Sequence, residues 1–206
     1  MSVKIHEAFC LDSARRRFEF TDHFLGDSIR DLWTVAGTGS AAVVDAQDGG
    51  VVRLTTGAVS GNSEELDWGA FRTLHVNKKV TFEARVKLNS TTSIEVYYQI
   101  YYDGSNRISF YRAAGNWQIT CRNGGAGGDV DSGVAADTDY HIFRIECFPA
   151  GEVHFYIDGT ECGNSPITTN IPSDAADYLK PRFYFVTTEN MAKSMDIDYI
   201  AWGQWI

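Results

Sequence analysis

The chain has 206 residues, 44% hydrophobic and 13% aromatic, with 19 glycines, four prolines and a formal net charge of −9. That length suits one large β-domain, and glycine-rich, aromatic-rich composition fits many strands joined by tight turns better than a helical bundle or a disordered chain. The negative balance, with Arg15-Arg16-Arg17 as the one short basic run, excludes the clustered cations that nucleic-acid binding needs.

The first twenty residues show no clear period and are expected to form an N-terminal arm, residues 1–20, ahead of a single domain, residues 21–206. No apolar run there is long enough for a signal sequence, and no stretch approaches the ~18 apolar residues of a spanning helix. Short strands follow at Leu32–Val35, Ala41–Asp45 and Val51–Leu54, punctuated by glycines, with another expected around Trp68–Phe71. The acidic trio Glu64, Glu65 and Asp67 reads as a loop, because its neighbours have opposite phases on a strand.

From Lys79 onward the pattern becomes regular. In Thr81–Leu88, Phe82, Ala84, Val86 and Leu88 alternate with Thr81, Glu83, Arg85 and Lys87, the rhythm of a half-buried strand. Ile94–Tyr102, Arg107–Arg112 and Trp117–Arg122 form a meander, joined by Asp103-Gly104-Ser105-Asn106 and Ala114-Gly115-Asn116. Asn123–Gly128 is a glycine loop, followed by an acidic stretch with Asp129, Asp131, Asp137 and Asp139. His141–Phe148 and Val153–Asp158 make a hairpin, and Asp158-Gly159 suits a type I′ turn. In that hairpin His141 and His154 could face each other. Arg182–Thr187 and Met195–Trp202 complete the set, the last with Met195, Ile197 and Tyr199 on one side and Asp196, Asp198 and Ile200 on the other.

The segments Tyr140-His-Ile-Phe-Arg-Ile-Glu-Cys-Phe148 and Gly151-Glu-Val-His-Phe-Tyr-Ile-Asp-Gly159 resemble the central hairpin of concanavalin A-like and laminin G-like domains. Asp196-Ile197-Asp198-Tyr199-Ile200 is similar to the closing strand of those jelly rolls, and Phe82-Glu83-Ala84-Arg85-Val86 to an early strand. The resemblance implies an all-β antiparallel sandwich of the concanavalin A-like jelly-roll type over roughly Thr81 to Trp202. The chain also resembles tailed-phage structural proteins of this class. That likeness implies a non-enzymatic virion decoration protein, an oligomer in contact with other virion subunits and with host glycans, made in the host cytoplasm without signal peptide or membrane span. The alternatives are a free-standing lectin and a glycoside hydrolase or polysaccharide lyase.

No catalytic residue is assigned. Family 16 hydrolases place carboxylates in the pattern Glu-x-Asp-x-x-Glu on one strand; Asp196 and Asp198 have the spacing but lack the following Glu. Neither HxH, HExxH, GxSxG nor a P-loop occurs, so no metal or cofactor is assigned, with calcium on the acidic stretch left as an alternative. Cys10, Cys121, Cys147 and Cys162 show no CxxC spacing and are read as free thiols. The candidate carbohydrate-binding residues are Tyr97, Gln99, Tyr101, Tyr111, Arg112 and Trp117, aromatic platforms beside planar polar groups, with Asn116 and Arg122 as further polar partners. The terminal Trp202-Gly203-Gln204-Trp205-Ile206 is expected to be an apolar contact with neighbouring subunits.

Overall fold

The computed structural model describes residues 17–47, 49–173 and 178–205, and among these there is no helix. Fifteen strands run in the order β1 Arg17–Asp22, β2 Thr34–Gly37, β3 Ser40–Gln47, β4 Gly49–Thr55, β5 Ser63–Asp67, β6 Val80–Leu88, β7 Ile94–Asp103, β8 Asn106–Arg112, β9 Asn116–Arg122, β10 Asp129–Ala135, β11 His141–Phe148, β12 Glu152–Ile157, β13 Thr160–Glu161, β14 Lys180–Thr187 and β15 Ser194–Trp205. They build two antiparallel sheets. One has the order β13-β12-β11-β6-β15-β4-β3, with β1 also paired to β15; the other has the order β10-β9-β8-β7-β14-β5-β2. Among the described residues no helix is long and apolar enough to cross a membrane.

Period-two patterning decides which side chains meet between the sheets. Val80, Phe82, Ala84, Val86 and Leu88 of β6 are all buried, whereas the residues between them are only partly covered. They pack toward Val96, Tyr98 and Ile100 of β7 and Phe183 and Phe185 of β14 in one continuous core. Phe143 sits at the centre of an aromatic cluster, with ring centroids 4.7 Å from Tyr98, 5.1 Å from Phe110 and 4.7 Å from Trp117. A second cluster joins Phe20, Trp33, Trp68 and Trp202. Burial of each such side chain contributes roughly 1.5–3 kcal/mol.

The turns follow from their residues. Asp158 and Gly159 carry φ of 51° and 78°, the pair of positive angles that a type I′ turn requires. Asp103 Oδ1 accepts the backbone N–H groups of Ser105 and Asn106, both at 2.8 Å, and closes the β7–β8 hairpin. The glycine loop is itself a tight turn between Asn123 and Ala126; Gly124 N–H donates to Asn106 Oδ1 at 2.9 Å, docking this loop onto that hairpin.

Several expectations are corrected. The strand placed around Trp68–Phe71 is Ser63–Asp67 instead. Trp68 enters the tryptophan cluster and Phe71 is exposed on a turn, so neither continues a ladder. Thus the acidic trio is strand, with Glu64 turned into the interior and Glu65 outward. The acidic stretch after the glycine loop begins as the edge strand β10, whose polarity reflects its exposure. Residues 17–20, assigned to the arm, belong to β1 and pair with β15; residues 1–16 lie outside the described residues. A bulge between Ile197 and Tyr199 reverses the phase of β15 against β6. Ile200 and Trp202 are consequently buried and Tyr199 points outward; residues 202–205 of the expected apolar contact belong to β15, with Trp205 partly exposed, and Ile206 lies outside the described residues.

Candidate functional site

The outer face of the seven-stranded sheet is where the meander residues come together. Pairing of β7, β8, β9 and β14 sets Thr120, Ser109, Gln99 and Arg182 in one row across the sheet. The next row holds Gln118, Tyr111, Tyr97, Tyr184 and, on β5, Glu65. On the other side lie Arg122, Arg107, Tyr101 and Lys180. Tyr97, Gln99, Tyr101, Gly104, Arg107, Arg182 and Tyr184 line a shallow depression of about 180 Å³.

Of the six expected binding residues, Tyr97, Gln99, Tyr101 and Tyr111 stand on this face, and the first three line the depression. Two do not. Trp117 lies on the opposite side of the pleat, 2% exposed, packed against Tyr98 and Phe143. Arg112 also has the inward parity and is buried, with its guanidinium given to the carbonyl of Thr91 and Nε and Nη1 without hydrogen bonds. Alternation explains both: one register step moves a side chain across the sheet. Of the further polar partners, Asn116 is tied to Asp131 at 3.1 Å and Arg122 pairs with Asp129 at 3.4 Å.

The platforms are not bare. Tyr97 and Tyr111 stack on each other with centroids 4.6 Å apart, Arg107 lies 5.3 Å over Tyr97, and Arg182 covers both Tyr101 at 4.2 Å and Tyr184 at 4.7 Å. What the depression offers is therefore ring edges, guanidinium groups and the Gln99 side chain. Gln99 is 1% exposed and Ser109 fully buried, yet Gln99 Oε1 and Ser109 Oγ have no hydrogen-bond partner in the protein. Burial raises the Tyr97 phenol, with its neighbour Tyr111 adding to the effect, and burial lowers the Arg107 guanidinium, with Arg122 adding to it.

Sequence reasoning missed Arg107, Arg182, Tyr184 and Ser109. The signal for β14 was present, since Arg182 and Tyr184 alternate with buried Phe183 and Phe185. Its position beside β7 was not, because that pairing joins residues about eighty positions apart in the chain.

Glu95 also stands on this face, beyond Tyr97 on β7 and outside the depression, while the other carboxylates here are held by partners. Arg182 engages Glu65, Lys180 Nζ lies 2.6 Å from Asp67, and Arg122 pairs with Asp129. Asp196 and Asp198 sit on the outer face of the other sheet, with Arg53 at 2.7 Å and with Arg85. The four aspartates weighed for calcium are dispersed: Asp137, for example, accepts from His141 and the N–H of Asp139. Among the described residues no group of three or more His, Cys, Asp or Glu side chains is placed to hold a metal ion. His141 and His154 do not face each other; His141 lies between Asp137 and Asp158, while His154 opposes Glu146 and bonds Glu161. Cys121, Cys147 and Cys162 are buried free thiols, and Cys10 lies outside the described residues.

A further depression of about 480 Å³ opens on the eight-stranded sheet beside Trp205 and Gly203. Its charges are balanced locally, with Arg17 paired to Glu19 and Arg144 3.3 Å from Glu146.

Comparison with known proteins agrees with this architecture. A laminin G domain model described as the concanavalin A-like lectin/glucanases superfamily matches residues 60–180. No curated protein matches the chain. Among solved structures, a protein of unknown function from Shewanella oneidensis superposes with a TM-score of 0.70 at 11% identity, covering 92% of this chain and 87% of its own. A glycosyl hydrolase family protein from Mycobacterium fortuitum gives 0.63 at 16% identity, covering 89% and 98%. A carbohydrate esterase from the Shiga toxin-encoding bacteriophage phi24B gives 0.55 at 19%, covering 84% and 89%. Identities this low carry the fold alone.

Proposed function

Because the chain belongs to the concanavalin A-like lectin/glucanase superfamily, we propose that it binds carbohydrate on the outer face of the seven-stranded sheet and does not cleave it. One observation carries this reading: Tyr97, Gln99, Tyr101, Arg107, Arg182 and Tyr184 line one depression on that face, aromatic rings beside planar polar groups, the combination that sugar recognition uses. Ring edges of Tyr97 and Tyr101 then bound the sugar laterally.

Glycoside cleavage needs two carboxyl groups flanking the bond, about 5–9.5 Å apart, one of them free to deliver a proton. The row at the centre of this face instead carries Ser109, Gln99 and Arg182. A binding role is the reading that this residue set supports.

A panel of immobilised polysaccharides tests it. Retention on at least one class, lost in Gln99→Ala and weakened in Tyr101→Ala while thermal unfolding is little changed, is the expected result. An empty panel would refute carbohydrate binding, and reducing ends released on long incubation would refute the non-catalytic reading.

A second reading, a subunit of a phage particle that touches host glycans and assembles as an oligomer, draws support from the likeness to a phage-encoded esterase. Copurification with particles, against free protein retained on polysaccharide, separates the two.

A further inference from the structure

The cations of the candidate face are not equivalent. Lys180, Arg182 and Arg122 each have a carboxylate: Asp67 at 2.6 Å, Glu65, and Asp129 at 3.4 Å. Arg107 has none within ion-pair distance among the described residues. Its hydrogen bond to protein runs from Nη1 to the carbonyl of Gly104 at 2.7 Å, and its Nε is buried with no acceptor. The groups around it compensate only in part: the Tyr97 ring lies beneath it as a cation–π partner and Tyr101 is paired across the strands, but a second cation, Arg122, stands beside it on β9. Asp129, the nearest acid in electrostatic terms, is already engaged by Arg122.

A half-buried guanidinium beside a like charge is unfavourable unless something negative meets it. Arginine presents planar paired donors, the geometry that matches a carboxylate or a sulfate. Gln99 and Ser109 form the pair two steps along the ladder from Tyr101–Arg107, on the same face, and Gln99 lines the same depression. Stacking of a neutral pyranose on open aromatic faces is disfavoured here, since guanidinium groups cover Tyr97, Tyr101 and Tyr184. The overall charge of −9 opposes polyanions at long range, so any capture must come from this local arrangement.

We propose that the ligand of this face is an anionic glycan whose carboxylate or sulfate group seats on Arg107, with the rest of the sugar lying along Tyr101 and Gln99 in the same depression. This rests on the reading that the face binds carbohydrate and adds the charge of the sugar to it.

The test uses matched polymers on the whole protein: polygalacturonate against its methyl ester, and dextran sulfate against dextran, measured by affinity electrophoresis and calorimetry. At least about tenfold tighter binding of one charged polymer over its uncharged twin is expected, a difference of ~1.4 kcal/mol. The carboxylate and sulfate arms report which anion is taken. Arg107→Gln should abolish the preference and Arg107→Lys should retain only part of it, with thermal unfolding as the check on folding. Because the polymer pairs probe the unaltered protein, a variant that fails to fold does not spoil the test. Equal binding of charged and uncharged twins, or a preference that survives in folded Arg107→Gln, would overturn the proposal while leaving carbohydrate binding intact. Binding of none of the four would overturn it too; carbohydrate binding itself falls only with the wider panel.

Discussion

Replacing Glu64 by Gln is expected to stabilise the protein at pH 8, and by progressively less as the pH falls. Glu64 is 2% exposed and turned into the sandwich from β5, where Oε2 accepts the N–H of Gly39 at 2.8 Å. Burial pushes its carboxyl above the ordinary range; the Gly39 bond pulls the other way without prevailing, and Glu65 adds to the rise. A carboxyl raised in the folded state contributes stability that is complete below its unfolded pKa, near ~4.3, and is lost as pH rises through the folded value. Gln keeps an acceptor for Gly39 and carries no charge, so the gain at pH 8 should be about 1 kcal/mol, the lower end of what imperfectly compensated polar burial costs. Glu64→Ala removes the charge too, but it takes away the acceptor of the Gly39 N–H and leaves the buried side chain's volume unfilled, and should be the less stable of the two. Urea unfolding followed by tryptophan fluorescence, from pH 4.5 to 8, measures all three proteins. A gain for Glu64→Gln that stays constant across that range, or a loss at pH 8, would show that ionisation of this carboxyl does not burden the fold.

Trp117→Ala should cost about 3–5 kcal/mol in chemical denaturation, as expected for a large aromatic removed from a packed core, whereas Tyr101→Ala should cost far less and weaken carbohydrate retention; the reverse ranking would mean the two faces of the meander are misassigned. Burial pulls the His141 imidazole down, but Asp158 and Asp137 more than offset this and leave its pKa raised. The stability it adds is therefore complete below its unfolded pKa, near ~6.5, and disappears as pH rises through the folded value. His141→Asn should flatten that part of the stability profile, and an unchanged profile would count against the Asp137–His141–Asp158 bridge.

Between Thr81 and Trp202 the strands with one buried face were legible because alternation survives in the text, and β11 lies where its hydrophobic rhythm puts it, whereas the exposed edge strands β10 and β13 carry no such rhythm. What escaped had physical reasons. Glu64 sits where a hydrophobic residue would be expected, since a backbone N–H partly satisfies it. The inversion at Tyr199 depends on a bulge that no residue type announces. In the candidate site, Tyr97, Gln99, Tyr101 and Tyr111 were recoverable from one strand and its hairpin partner. Choosing between the faces of β8 and β9 required the register that sends Arg112 and Trp117 inward. Arg182 and Tyr184 joined the site through strand order, a property of the folded sheet.

Strand β15 follows every other strand in the chain, yet it is paired to β6 on one side and to β4 and β1 on the other. During synthesis the ribosome must therefore deliver residues 194–205 before three earlier strands gain their missing neighbour. Until then the nascent chain exposes open ladder edges, the surfaces on which foreign strands add. Translation pausing or proteolysis ahead of Ser194 should yield chains that aggregate rather than half-built but soluble domains.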